Sequence, residues 1–264
     1  MDLGLAERVV IVTGGSSGIG YAVAKLFAQE RVRVVISARG VAALETAARE
    51  LSEATQSTVL AVASDTTEQS RIDQMVGEVL DRYGRIDILV NCAANPSGLV
   101  RGGIEALDSD ALLRDLNTKV VGYARCARAV VPAMKAQQWG RIINIGGLTG
   151  RGSELLSGMR NVAICHLTKT LSDQLGRFGI TVNVVHPGVI RTPHLTDLFA
   201  KEAEKGRTTA AAIEAGYVAQ TPTRRILEAD EIANTVAFLA SAHGASITGE
   251  SLAVDGGITR GIFL

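Results

Sequence analysis

A glycine run between a strand and a helix is the first feature of the chain that could do chemistry. Val9-Val10-Ile11-Val12 is a short apolar stretch, and Thr13-Gly14-Gly15-Ser16-Ser17-Gly18-Ile19-Gly20 follows it directly. Ile19, Val23, Leu26 and Phe27 then recur at helical spacing. This is the setting in which glycines serve a dinucleotide's pyrophosphate. Gly14 allows the tight turn, Gly18 lets the backbone approach the phosphates, and Gly20 permits close helix–strand packing. Ser16, Ser17 and Ile19 lie on the same loop, where N–H groups and the helix dipole face an anion. The second strand ends Ile36-Ser37-Ala38-Arg39. A pocket selective for NAD carries a carboxylate about 20 residues past the glycines to bind the ribose hydroxyls. Here Ala38 is neutral, and the planar guanidinium of Arg39 suits a 2′-phosphate. The expected cofactor is NADP(H), with NAD(H) tolerated.

Other reactive types give little by comparison. Cys92, Cys126 and Cys165 are odd in number, widely spaced and in apolar company, as reduced thiols are. His166 is the sequence neighbour of Cys165, but adjacent helical residues do not face each other. The histidines 166, 186, 194 and 243 lack metal-ligand spacing, so no metal site is expected.

The elements that must hold the glycine loop alternate along the whole chain. Apolar strands are expected at Val32–Ser37, Val59–Ala63, Ile86–Val90, Arg141–Ile145, Ile180–Val185 and Ser251–Val254. Helical patterns fill the intervals, among them one long helix at about Ser109–Gln137, with Pro132 kinking its last turns, and another at Leu155–Arg177. This alternation predicts an α/β fold: a parallel sheet with helices on both faces, in a single domain spanning 1–264. The segment from Thr196 to Arg225 breaks the rhythm. It is weakly helical, interrupted by Gly206, Gly216 and Pro222, and is expected to form a lid.

With 264 residues the chain can bury a core, and 47% hydrophobic content excludes a disordered chain. Lys and Arg number 27 and Asp and Glu 27, so the basic footprint of a nucleic-acid or anionic-membrane partner is missing. No apolar run approaches the roughly 20 residues that span a bilayer. The expected setting is cytoplasmic and the expected partner a small-molecule substrate.

Over essentially its whole length the sequence resembles the short-chain dehydrogenase/reductase family. Thr13–Gly20 is similar to its TGxxxGxG loop, and Asp65 matches the Asp that binds adenine. Asn91-Cys92-Ala93-Ala94 occupies the NNAG position, keeping the first Asn. Asn117 matches the helix Asn of the catalytic set. Pro187-Gly188, with Ile190 and Thr192, resembles the segment that holds the nicotinamide carboxamide. Ile247-Thr248-Gly249-Glu250 and Val254-Asp255-Gly256-Gly257 resemble the C-terminal signature. The resemblance implies a doubly wound, Rossmann-type sheet and a nicotinamide-dependent oxidoreductase. It also implies a homo-tetramer or dimer through paired helices, for which Leu112, Leu113, Leu116, Val120, Val121 and Ala124 offer an apolar surface. NADP-using relatives often carry a second base where this chain has Ser17, so preference rather than exclusivity is expected.

The catalytic positions depart from the pattern. Ile143-Asn144-Ile145-Gly146-Gly147 puts Gly147 where the family has Ser. Counting back from Leu167-Thr168-Lys169 puts Ser157 at the Tyr of YxxxK and Asn161 at its Lys. The Gly147–Ser157 interval is also shorter than usual. A serine is a far weaker acid than a tyrosine, and Asn161 brings no charge. Weak reduction of simple ketones is therefore expected. An activated double bond or carbonyl suits the site better, with Asn117, Ser153 and Glu154 as candidates to orient a water. The competing reading is a catalytically silent nucleotide-binding protein or partner subunit.

Overall fold

Each central strand is apolar at every position because its two faces meet different helices. The computed structural model describes residues 2–95, 103–150 and 155–261; Ser153 and Glu154 lie outside them. In β1 (Val9–Thr13), Val10 and Val12 pack with Phe27 of α1 (Gly18–Gln29) and Val236 of α9 (Ala229–Ala240). Val9 and Ile11 point the other way, towards Ile72 of α3 (Gln69–Tyr83) and Val130 of α5 (Gly122–Ala136). The α3 helix buries Ile72, Met75, Val76 and Val79, a single stripe at helical period, and ends on Gly84 at φ +68°.

The remaining strands are β2 (Arg33–Ala38), β3 (Val59–Ala63), β4 (Ile88–Asn91), β5 (Gly140–Ile145), β6 (Ile180–Pro187) and β9 (Ser251–Val254). They form a seven-stranded sheet in the order β3-β2-β1-β4-β5-β6-β9, paired in parallel throughout. The order reverses between β1 and β4. Crevices at such switch points, outside the carboxyl ends of the strands, are where this architecture binds ligands. The doubly wound sheet matches the sequence expectation, as do most element boundaries within a few residues.

Three details differ. The long helix expected at Ser109–Gln137 is α4 (Ser109–Leu116), a π turn (Asn117–Val121) and α5 in succession, with Pro132 inside α5. The helix expected at Leu155–Arg177 begins later, as α6 (Gly158–Leu175). The 196–225 segment contains two regular helices, α7 (Pro193–Gly206) and α8 (Ala210–Gln220), and Gly216 sits within α8 without breaking it. Thr192 caps α7 by accepting from Leu195 N–H, with Pro193 at the first helical position. Two short strands, β7 (Ile190–Arg191) and β8 (Leu227–Glu228), pair at the base of these helices. Among the described residues no helix is long and apolar enough to cross a membrane.

Candidate active site

The carboxyl ends of β1, β4, β5 and β6 open into one cavity of about 960 Å³. At one end it is lined by Gly14, Ser16, Ser17, Gly18 and Ile19, as the glycine-loop reading requires. Gly14 and Gly18 have φ of +70° and +55°, where side chains are strained. A Cβ on Gly14 would also meet the Cys92–Ala93 backbone at 3.0 Å. Gly20 lies behind the loop, where a Cβ would strike Gly14 O at 2.3 Å, so its part is packing. Arg39 lines the same end with Ala38 and Ser64. The Ser64 hydroxyl is buried with no hydrogen-bond partner among the described residues, an orphan that a ligand would satisfy. Glycines, helix terminus, free guanidinium edge and orphan hydroxyl together fit a dinucleotide.

Two residues that the resemblance assigned to the cofactor are turned elsewhere. The Asp65 carboxylate accepts from Thr67 N–H and Oγ1, both at 2.8 Å, and is not part of the lining. Asn91 donates to Asn144 Oδ1 at 2.9 Å, and Asn144 donates to Thr168 Oγ1 at 2.9 Å. That buried amide chain ties β4, β5 and α6 together behind the cavity wall. Pro187, Gly188, Ile190 and Thr192 all line the cavity, at the other end from Arg39's strand. Leu195, Leu198 and Tyr217 of α7 and α8 close it, with Tyr217 stacked on Phe199 at 5.3 Å.

The floor differs most from the sequence expectation. Asn117 is not in the lining; its Oδ1 accepts from Arg125 at 3.0 Å. Ser157 is fully buried at the start of α6 and is likewise outside the lining. In their place the π turn turns Lys119 inward. Its Nζ donates to Gly146 O at 2.8 Å and to Asn161 Oδ1 at 3.0 Å. Asn161 in turn donates to Thr149 Oγ1 at 2.8 Å. Thus the amine missing from α6 enters from the neighbouring π turn and meets Asn161, the amide that stands in its place on α6. The glycines follow from this: a Cβ on Gly147 would lie 2.9 Å from Asn161 Nδ2, and one on Gly146 would lie 2.4 Å from His186 Nδ1.

Burial and the nearby Arg160 charge pull the Lys119 amine down to about 7, against smaller opposing pulls from Cys92 and Asp115. Arg160 lines the floor and forms a buried ion pair with Asp115. Burial pushes the Cys92 thiol up to about 11 and holds the Tyr123 phenol well above its ordinary value. The Tyr123 hydroxyl donates to Ile145 O at 3.1 Å. Beside the floor, His186 Nδ1 accepts from Gly147 N–H at 3.0 Å, and its Nε2 lies 3.3 Å from Cys165 Sγ and 3.0 Å from Ser251 Oγ. Cys165 therefore meets His186, which sequence adjacency to His166 did not suggest. Lys119 offered one weak signal, a charge set beside Val120, Val121 and Tyr123 on a helical run that also carries Arg114, Asp115, Arg125 and Arg128. Which way it pointed depended on the π turn.

The comparisons agree with this fold. The family model for enoyl-(acyl carrier protein) reductase matches residues 14–259. A 3-oxoacyl-[acyl-carrier-protein] reductase of Escherichia coli is 33% identical over 255 residues, covering 95% of this chain and 97% of that protein. A (2S)-[(R)-hydroxy(phenyl)methyl]succinyl-CoA dehydrogenase subunit of Thauera aromatica is 34% identical, covering 97% and 98%. Among solved structures, L-sorbose reductase from Gluconobacter frateurii, complexed with NADPH and L-sorbose, superposes with a TM-score of 0.93 at 30% identity, covering 99% and 100%. The chain belongs to the short-chain dehydrogenase/reductase family. It is a nicotinamide-dependent oxidoreductase of that type.

Proposed function

We propose that this protein is an NADP(H)-preferring reductase of a small molecule bearing an activated carbonyl or a carbonyl-conjugated double bond, working with a catalytic floor that departs from the family pattern. The observation that carries the reading is one continuous cavity. It runs from Ala38 and Arg39, through the glycine loop, to Lys119, Thr149 and Asn161. NADPH, when bound, supplies a hydride. Arg39 would hold its 2′-phosphate, the N-terminus of α1 its pyrophosphate, and the Pro187–Thr192 segment its nicotinamide end. NAD(H) lacks the phosphate and binds more weakly, but is not excluded because Ser17 stands where NADP-using relatives often carry a second base. The relative solved with NADPH and a sugar ketone supports the cofactor and the substrate size.

Gly147 and the burial of Ser157 favour one rival, a silent binder of nicotinamide nucleotides. Calorimetric titration with NADPH and NADH, for wild type and Arg39→Ala, tests the main reading. The charge-assisted contact is worth roughly 1.5–3 kcal/mol, about 10–100-fold in affinity. That loss should fall on NADPH alone. Equal dissociation constants for the two cofactors in the wild type would overturn the preference.

A further inference from the structure

We propose that Lys119 is the proton donor of this site, giving a proton from Nζ to the substrate's carbonyl oxygen. The inference rests on the reductase reading above and names the residue that completes it. Among the described residues, four titratable side chains stand on or in the cavity floor: Cys92, Lys119, Tyr123 and Arg160. The Tyr123 hydroxyl spends its proton on Ile145 O. Arg160 is paired with Asp115 and does not deprotonate near neutrality. Cys92 stays a thiol, a weak donor, because burial disfavours the thiolate. Of these four, Lys119 combines a buried amine, a place in the lining and spare donor capacity. Two of its three ammonium protons go to Gly146 O and Asn161 Oδ1, and the third has no acceptor among the described residues.

The architecture around the amine is specific. Helix turns of the π type recur at functional sites, and this one delivers Lys119 from the helix where an amide was expected. Asn161 accepts from the amine through Oδ1 while its Nδ2 donates to Thr149, so the head group is tied into a short hydrogen-bonded chain. The charged and titratable groups that face it are Asp115 from α4, Tyr123 from α5, Cys92 beyond β4 and Arg160 from α6. Their balance with burial leaves the amine near 7, where an acid both holds and releases its proton at working pH.

Reduced nicotinamide, when bound, would supply the two electrons as a hydride to the carbonyl carbon. The C=O π pair moves on to oxygen, the Nζ–H bond breaks and an O–H bond forms. Lys119 is left a neutral amine, which water reprotonates.

The test has two parts. NMR titration of lysine side-chain amines in the protein without nucleotide, with Lys119→Arg to assign the signal, should show one amine titrating near pH 7. A Lys119 midpoint at 10 or above overturns the proposal whatever the activity. NADPH oxidation is then followed across pH 5.5–9.5 with a panel of ketones, 3-oxoacyl thioesters and enones. Wild-type kcat should fall above the amine's midpoint, and Lys119→Met should lose about 10²–10⁴-fold in kcat while still binding NADPH. Lys119→Arg keeps the charge and donors, so rescue by Arg shows a structural role and overturns the proposal. A pH dependence that disappears in His194→Gln rather than in Lys119→Met assigns the proton to the lid and overturns it too, as does absence of any wild-type turnover. Failure to bind NADPH instead refutes the reductase reading while leaving the amine titration intact.

Discussion

Lys119 carries a cost in the folded state that fixes a second, independent prediction. Its ordinary value is 10.5, and burial and Arg160 lower it to about 7. Below pH 7 the amine is charged both folded and unfolded, and the folded state bears the full desolvation. Between 7 and 10.5 the unfolded chain binds more protons than the native one, so stability rises with pH across that window. Above it the contribution is constant. Urea unfolding of wild type and Lys119→Met should therefore differ most in favour of the variant near pH 6. The difference should shrink by on the order of a few kcal/mol towards pH 10. A difference that does not change with pH would show that the amine does not titrate where its surroundings place it. At the same scale, a serine at position 147 would put its Cβ 2.9 Å from Asn161 Nδ2, so that amide would have to shift.

Among the elements, α7 and α8 are the ones whose arrangement bears on turnover. They are anchored at both ends, by Thr192 capping α7 and by β7 pairing with β8. Arg191 reinforces the base through Glu214 and Glu228. Between the anchors, Leu195, Leu198 and Tyr217 contribute to the cavity wall. We expect this pair to act as the lid over cofactor and substrate, excluding water as such segments do. Limited trypsin digestion should cut at Lys205, Arg207 or Arg224 more slowly with saturating NADPH than without it. Equal cutting rates would remove the closing role. These elements also show what a sequence exposes. The β1–loop–α1 unit was legible because strand period, glycines and helix period change over within a dozen residues. The β7–β8 pair was not, since two-residue strands have no period. The π turn was not, since its residues Asn117–Val121 read as ordinary helix, and with it went the direction of Asn117 and Lys119. Asp65 and Asn91 show the related limit: a matching motif locates a residue but not the partner its side chain takes.

At the scale of the whole molecule, the π turn and helices flanking the site leave apolar side chains outside. Leu113 and Val121 are exposed, and so are Met159 and Val162 of α6. Leu113 and Val121 belong to the face expected from the sequence; Met159 and Val162 extend it to the second helix. Such a surface on two helices is expected to be covered by another copy, giving a tetramer or dimer. Light scattering at micromolar concentration checks this, and a monomer would contradict it. The central claim, a working reductase on an altered catalytic floor, is tested most directly by isotope transfer. The protein is incubated with NADPH deuterated at the transferred position of C4 and the carbonyl and enone panel, and products are analysed by mass spectrometry. The account predicts one deuterium in each product molecule and one NADP⁺ formed per product. Tight NADPH binding with no deuterium in any product would contradict it and leave the protein a silent binder of the nucleotide.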